Sequence, residues 1–478
     1  MRTTRKLTRL AAMTAAASLL IAQPAPAQPT QQQPGSGAVP PPVDMSLPLV
    51  TDTEKPPTDV KYEPKTDCVA SLSDGKVVLP NKPWGQQRLQ IEEAQKFATG
   101  KGQLVAVIDT GVRPHPFFQG RVVKGADYVA EKNDALEDCD GHGTEVAGII
   151  AARSPNLDQV GFTGVAPDAR ILAIRQSSDV YKGKRAPTPD NPNPGETAAG
   201  DLNSLAQAVR HAADNPQVTV INMSVDNCRL STYTISRPEQ DLQRALHYAV
   251  QEKNKVVVAS AGNQSDICTK PRNGADSNKP EFIITPPWFA EDVLSVAAVN
   301  QKGNLAAFSM QGPWVSVAGP GTDIISLDPS GNGLANLTVQ KNGSKVPIQG
   351  TSFAAPYVAG LAALVRERYP ELNARQVMNR IKMTAQHPAA PGGRDNLVGH
   401  GMVNPLAALT AMIPGEFGIP ADKAEAMPAG MPPVRAKDWT AMTVALIGTG
   451  GGVLLLLMTL FIMRAIRRNN PREEAEQS

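Results

Sequence analysis

The sequence predicts an α/β fold: a parallel sheet flanked by helices, with one C-terminal transmembrane helix appended. Three observations lead there. Short, continuously apolar runs alternate with helical patterns from about residue 86 to 412, as in strands joined by right-handed crossovers. Residues 441–463 carry no charged side chain, and about 23 residues rising about 1.5 Å each reach about 35 Å, enough to cross a hydrocarbon layer of about 30 Å. The chain is 478 residues long and 41% apolar, sufficient for one large core with appendages.

The N-terminus reads as an export signal. Arg2, Arg5, Lys6 and Arg9 precede a short apolar run over residues 10–22, then Ala25-Pro26-Ala27, with cleavage expected after Ala27. Ten to fifteen apolar residues are too few for a membrane span. Residues 28–67 are rich in Pro and Gln without apolar periodicity, and are expected to be extended or poorly ordered rather than a folded unit. The globular domain is placed at 68–412, a Pro/Ala linker at 413–438, the membrane helix at 439–463 and a cytoplasmic tail at 464–478. Trp439 at one end of the span and Arg464, Arg467 and Arg468 at the other put the tail inside and the domain outside the cytosol.

Strands are predicted over 104–109, 169–175, 218–224, 255–263 and 293–299, and helices over 91–97, 142–152, 201–215, 241–253, 352–369, 374–384 and a short last stretch ending near 412. The Pro-rich stretch 181–200 is expected to be a long loop without an element of its own. The net charge is +2, with no long basic block outside the termini, which leaves no case for nucleic-acid binding. The four cysteines, Cys68, Cys139, Cys228 and Cys268, show no CxxC spacing. An even count in an exported chain predicts two disulfides, with three pairings open.

Several polar residues stand at element ends. Asp109 closes a strand apolar throughout, and the C-terminal edge of a parallel sheet is where sites gather. His142 opens a helix entered through glycines, where the positive helix end favours a neutral imidazole. Asn263 closes another strand. Ser352, after Gly350-Thr351, opens a nearly uncharged helix whose free N–H groups favour a developing oxyanion. A serine needs a base, and the base needs a carboxylate to hold its tautomer. Asp109 also lies in an Asp-Thr-Gly triplet, but two-carboxylate hydrolysis needs a second copy, and that reading leaves His142 and Ser352 unexplained.

The order Asp, His, Ser, carried by Val107-Ile108-Asp109-Thr110-Gly111-Val112, His142-Gly143-Thr144-Glu145-Val146-Ala147-Gly148 and Gly350-Thr351-Ser352-Phe353-Ala354-Ala355-Pro356, resembles the subtilisin family over about 86–412. The resemblance implies a serine endopeptidase with Asp109 as orienting acid, His142 as general base, Ser352 as nucleophile and Asn263 as oxyanion donor. It also implies that Ser260, Ala261 and Gly262 wall the pocket for the residue before the scissile bond. A signal peptide, a Pro-rich extension and a C-terminal membrane helix are together similar to the mycosins, membrane-anchored proteases of the type VII secretion system. That likeness implies exported protein substrates, a secretion membrane complex and the lipid bilayer as partners.

No calcium loop is recognisable, so neither metal nor cofactor is expected. Cys228 and Cys268 follow strands expected to be neighbours, which points to Cys228–Cys268 and Cys68–Cys139. After Ser224 the chain reads Val225-Asp226-Asn227-Cys228 where subtilisins are commonly glycine-rich, so substrate specificity is not transferable. A different class of function, a structural subunit of a membrane complex with secondary proteolysis, is compatible with the same sequence.

Overall fold

Runs such as Leu104-Val105-Ala106-Val107-Ile108 can satisfy their backbone and bury both faces only inside a covered parallel sheet. The computed structural model contains such a sheet, and describes residues 37–74, 77–131, 135–185, 194–270, 272–274, 279–339, 343–418 and 440–469. The expected signal peptide and tail beyond Asn469 lie outside them. Two compact units are present, one through Glu416 and one from Phe417 onward.

The first unit is built on seven parallel strands: β1 (Leu104–Asp109), β2 (Val122–Asp127), β3 (Arg170–Arg175), β4 (Val218–Met223), β5 (Val256–Ser260), β6 (Leu294–Val299) and β7 (Val315–Pro320). Their order is β7-β6-β5-β4-β1-β3-β2. Every residue of β1, β5, β6 and β7 is buried. From β1 the chain fills one side with β2 and β3, then returns to the other side from β4 onward. The reversal opens a crevice at the C-terminal ends of β1 and β4.

Helices cover the sheet: α1 (His142–Ala151), α2 (Leu202–Asp214), α3 (Arg237–His247), α4 (Thr351–Arg368) and α5 (Ala374–Met383). Capping boxes start α2 at Asp201, α3 at Ser236 and α5 at Asn373, each side chain accepting the N–H three residues on. α4 packs on β4, β5, β6, β7 and α1, and its residues from Thr351 through Arg366 are buried. No charged residue occurs in it before Arg366, which fits a helix enclosed on all sides.

Four elements depart from expectation. β2, an edge strand containing Lys124 and Gly125, lacks a continuous apolar run, and β7 carries Ser316 and ends in Gly319-Pro320. Residues 181–200 are not a bare loop, because Ser178–Lys184 pairs antiparallel with Glu196–Ala199. Val180 and Tyr181 bury there with Val60, Tyr62 and Val129, a cluster no local pattern discloses. The helix expected from 241 begins at Arg237, where Ser236, Pro238 and Glu239 carry the start signal.

The N-terminal extension is extended but tied down. Trp288 Nε1 donates to Gly37 O, Gln243 to Pro41 O, and Glu63–Pro64 pairs with Tyr181 and Lys182. Asp52 meets His211 Nδ1 at 2.9 Å and accepts from the Tyr128 hydroxyl. The stretch predicted as linker from 413 begins as packed structure, with Ile413 buried and Glu416 paired with the fully buried guanidinium of Arg380.

Cys68–Cys139 and Cys228–Cys268 are bonded, the pairing expected. The second unit contains helix α6 (Thr440–Asn469), long and apolar enough to cross a membrane, with mean hydropathy 2.2 over its most apolar window.

Converting Cys68 and Cys139 to serine opens a loop of 71 residues. On loop-closure entropy, stability falls by about 4 kcal/mol, read as a lower urea midpoint of the double variant.

Candidate active site

The glycines around β1 decide which backbones touch. Gly111 has φ +111°, and a Cβ on it would lie 2.1 Å from Glu137 O. A Cβ on Gly143 would lie 2.0 Å from Gly111 O. The turn after β1 and the first turn of α1 therefore meet backbone to backbone, with no room for side chains. This contact sets Asp109 against His142: Oδ1 is 2.6 Å from Nδ1. Asp109 is fully buried, whereas the His142 side chain is 28% exposed, so the far side of the ring remains open to a reactant. Thr110 N also donates to Asp109 Oδ1.

Asp138 braces this junction, although no sequence pattern singled it out. It accepts from Thr110 Oγ1, Gly141 N, Thr144 N and Thr144 Oγ1. Burial nevertheless pushes its carboxyl up to about 6. Glu145, one turn into α1, accepts from Ser71 Oγ at the start of the domain at 2.8 Å, and burial pushes it up to about 8. For His142, burial works against the imidazolium. The charge and hydrogen bond of Asp109, with Glu145 and Asp138 behind, outweigh it and hold the ring up to about 9. The positive end of α1, expected to keep the imidazole neutral, is worth about 1 kcal/mol and is the smaller effect beside a buried carboxylate at hydrogen-bond distance.

Ser352 lies in the first turn of α4, behind Gly350 and Thr351. Its carbonyl would ordinarily accept from the N–H four residues on, but that residue is Pro356, which has none. Ser224 supplies the missing donor, its hydroxyl 2.8 Å from Ser352 O, and Asn222 Nδ2 steadies Ser224 at 3.0 Å. The end of β4 thus holds the start of α4. The proline inside an otherwise helical pattern was the available signal for Ser224.

Asn263 Oδ1 accepts from Thr351 N and Thr351 Oγ1, which fixes the orientation of the amide. The Phe353 ring stands 5.0 Å from the His142 ring, so the first turn of α4 packs against the imidazole. Asp109, His142, Asn263 and Ser352 are thereby gathered at one end of the sheet. Ser260, Ala261 and Gly262 lead from β5 into Asn263 and are buried. They are not among the residues lining the cleft at Asp109 and His142.

That cleft has a volume of about 680 Å³. Its walls include Ser177, Ser178, Ser224 and Val225, together with Val69 just after the extension and Thr338 and Val339 from a strand (Leu337–Val339) that pairs with Ser71–Leu72. Among the described residues, Asp52, Glu54 and His211 form the one group whose ligand atoms could converge on a metal ion. They sit at the seam between the extension and α2 and bond one another.

Residues 100–401 match the Subtilase family. The chain is 41% identical to Mycosin-1 of Mycobacterium tuberculosis over 420 residues, covering 85% of this chain and 87% of that protein. It is 43% identical to Mycosin-1 of Mycolicibacterium smegmatis over 351 residues, 70% and 76% of the two chains. A solved structure of the serine protease MycP1, described as an essential component of the type VII (ESX-1) secretion system, superposes with a TM-score of 0.71 at 41% identity, covering 78% of this chain and all of that one. A chain in an intact ESX-5 inner membrane complex superposes with a TM-score of 0.70 at 34% identity, covering 89% and 99%. With its strand order, its site and these relatives in agreement, the chain belongs to the subtilase family of serine peptidases, in its mycosin branch.

Proposed function

We propose that this protein is a membrane-anchored serine endopeptidase acting outside the cytosol, with Asp109, His142 and Ser352 as its triad. The observation that carries this reading is the 2.6 Å contact between a fully buried Asp109 and a partly exposed His142. Asp109 holds the Nδ1–H tautomer, so Nε2 takes the proton from Ser352 Oγ as it attacks a peptide carbonyl. The resulting oxyanion accepts from Asn263 Nδ2 and N–H groups at the start of α4. The imidazolium then protonates the leaving amine, and water repeats the sequence on the acyl-enzyme. Ser260, Ala261 and Gly262 contribute through the backbone that leads into Asn263.

Two disulfides, the export signal and the arginines after the apolar run support placing the domain outside the cytosol, with the tail inside. Exported proteins are then the substrates. The relatives solved in an ESX-5 inner membrane complex support a partnership with such a complex, and α6 a place in the bilayer.

Ser352→Ala is expected to abolish labelling by a serine-directed fluorophosphonate. N-terminal peptide mapping of exported proteins should show new termini with wild type that the variant lacks; identical termini in both would refute processing. Because His142 must be neutral to act, and its pKa is raised, kcat/KM should fall as pH drops through an apparent pKa above 6.5. Asp109→Asn should lower that apparent pKa and reduce kcat about ten-thousandfold.

A second reading, a structural subunit with secondary proteolysis, is favoured by the presence of relatives inside assembled membrane complexes. Secretion that survives Ser352→Ala and fails on deletion of the whole protein would establish that role as separable.

A further inference from the structure

The cleft beside Asp109 and His142 continues into a smaller cavity of about 230 Å³, with Ser177 and Val225 bordering both. Among the described residues that line the two, there are carboxylates and no lysine or arginine. Asp109 is occupied with His142. Asp140 accepts from the Ser178 hydroxyl and from the N–H groups of Asp179 and Val180. Asp201 caps α2 and pairs with Arg185. That leaves Asp179, in the larger cavity, and Asp226, in the smaller. Both residues present exposed surface, although the protein around the Asp226 carboxyl pushes it up to about 6, which leaves it charged at neutral pH, and neither side chain has a hydrogen bond or ion pair among the described residues.

The smaller cavity is amphipathic in the same sense as a basic side chain. Leu202, Leu205 and Val225 provide apolar wall, and Asp226 provides charge. A lysine or arginine lays its methylene stem on apolar surface and keeps its charged head on a polar partner. Asp226 is also held in place: Ser224, two residues earlier, is bonded to Ser352 O, and Cys228, two residues later, is bonded to Cys268. A preorganised carboxylate loses little freedom on binding.

We propose that Asp226, supported by Asp179 on the other side of Ser177 and Val225, makes this cleft select peptides with a lysine or arginine near the bond to be cut. The inference rests on the peptidase reading above and adds the substrate class. A charge-assisted hydrogen bond contributes a factor of about ten to a hundred in selectivity over a neutral side chain of the same length.

The test uses the full-length protein in detergent and internally quenched peptides that differ at one position, lysine against norleucine against glutamate, moved in turn along each side of the cleaved bond. The same peptides are also scored for protecting Ser352 from fluorophosphonate, which reads binding even where turnover is slow. At one position lysine should exceed norleucine about ten- to hundredfold in kcat/KM or in protection. Asp226→Asn should bring that ratio close to unity, Asp179→Asn should reduce it in part, and Asp226→Lys should turn the preference toward glutamate. Each ratio is taken on one preparation, so partial unfolding of a variant cancels. Equal handling of lysine and norleucine at every position, or a lysine preference that survives both asparagine variants, overturns the inference while labelling upholds the peptidase. A wild-type protein that takes no label at all overturns the peptidase reading, and the inference with it.

Discussion

Asp109 can hold His142 only because two stretches of backbone touch. The turn after β1 and the first turn of α1 meet through Gly111 and Gly143, where any side chain would overlap a carbonyl oxygen. The rest of the structure serves that contact. β1 is buried on both faces by its neighbours and helices, so its C-terminal residue is placed without slack. Asp138 ties Thr110 to the start of α1 with four accepted hydrogen bonds, so Asp109 and His142 belong to one braced junction. A buried carboxylate beside an imidazole is costly unless each lone pair has a purpose. Asp109 offsets that cost through Oδ1 alone, which meets His142 and accepts from Thr110 while Oδ2 has no partner among the described residues, and the raised affinity of the ring for a proton is the consequence.

A similar economy places the serine. α4 is enclosed on all sides, so its first turn cannot rely on water to satisfy its backbone. Pro356 withholds one donor, Ser224 replaces it, and Asn263 takes the Thr351 N–H. Two chain segments, the ends of β4 and β5, thus converge on one helix N-terminus through bonds the helix itself requires. The groups that satisfy the helix are also those that surround Ser352, which gives the site rigidity without dedicated scaffolding.

The N-terminal extension leads directly into this arrangement rather than trailing from it, through the first residues of the domain. Cys68 is bonded to Cys139, Val69 N donates to Cys139 O, and Ser71 donates to Glu145, which brackets His142 from both sides in sequence. Val69 then lines the cleft. A segment that looked too poor in apolar residues to fold becomes ordered by borrowing the surface of the domain. Its few apolar residues, Val60 and Tyr62 among them, fill gaps left by the Ser178–Lys184 hairpin.

What the amino-acid order determined alone was whatever local chemistry dictates. The buried strands announce themselves as unbroken apolar runs, the membrane helix as an uncharged one, and Asp109, His142, Asn263 and Ser352 by standing at the ends of strands or the starts of helices. Their motifs were legible because backbone contact and close approach restrict those positions to particular residue types. Only the tertiary structure decided the rest. β2 and β7 form because neighbouring strands offer them partners, although their own patterns are mixed. Asp138 and Ser224 matter through bonds to residues brought near by folding. Asp179 and Asp226 became noteworthy when the fold set them around one pair of residues, Ser177 and Val225. Their meaning depends on which charges lack partners, and a pairing between distant segments is a property of the folded chain that no window of sequence contains.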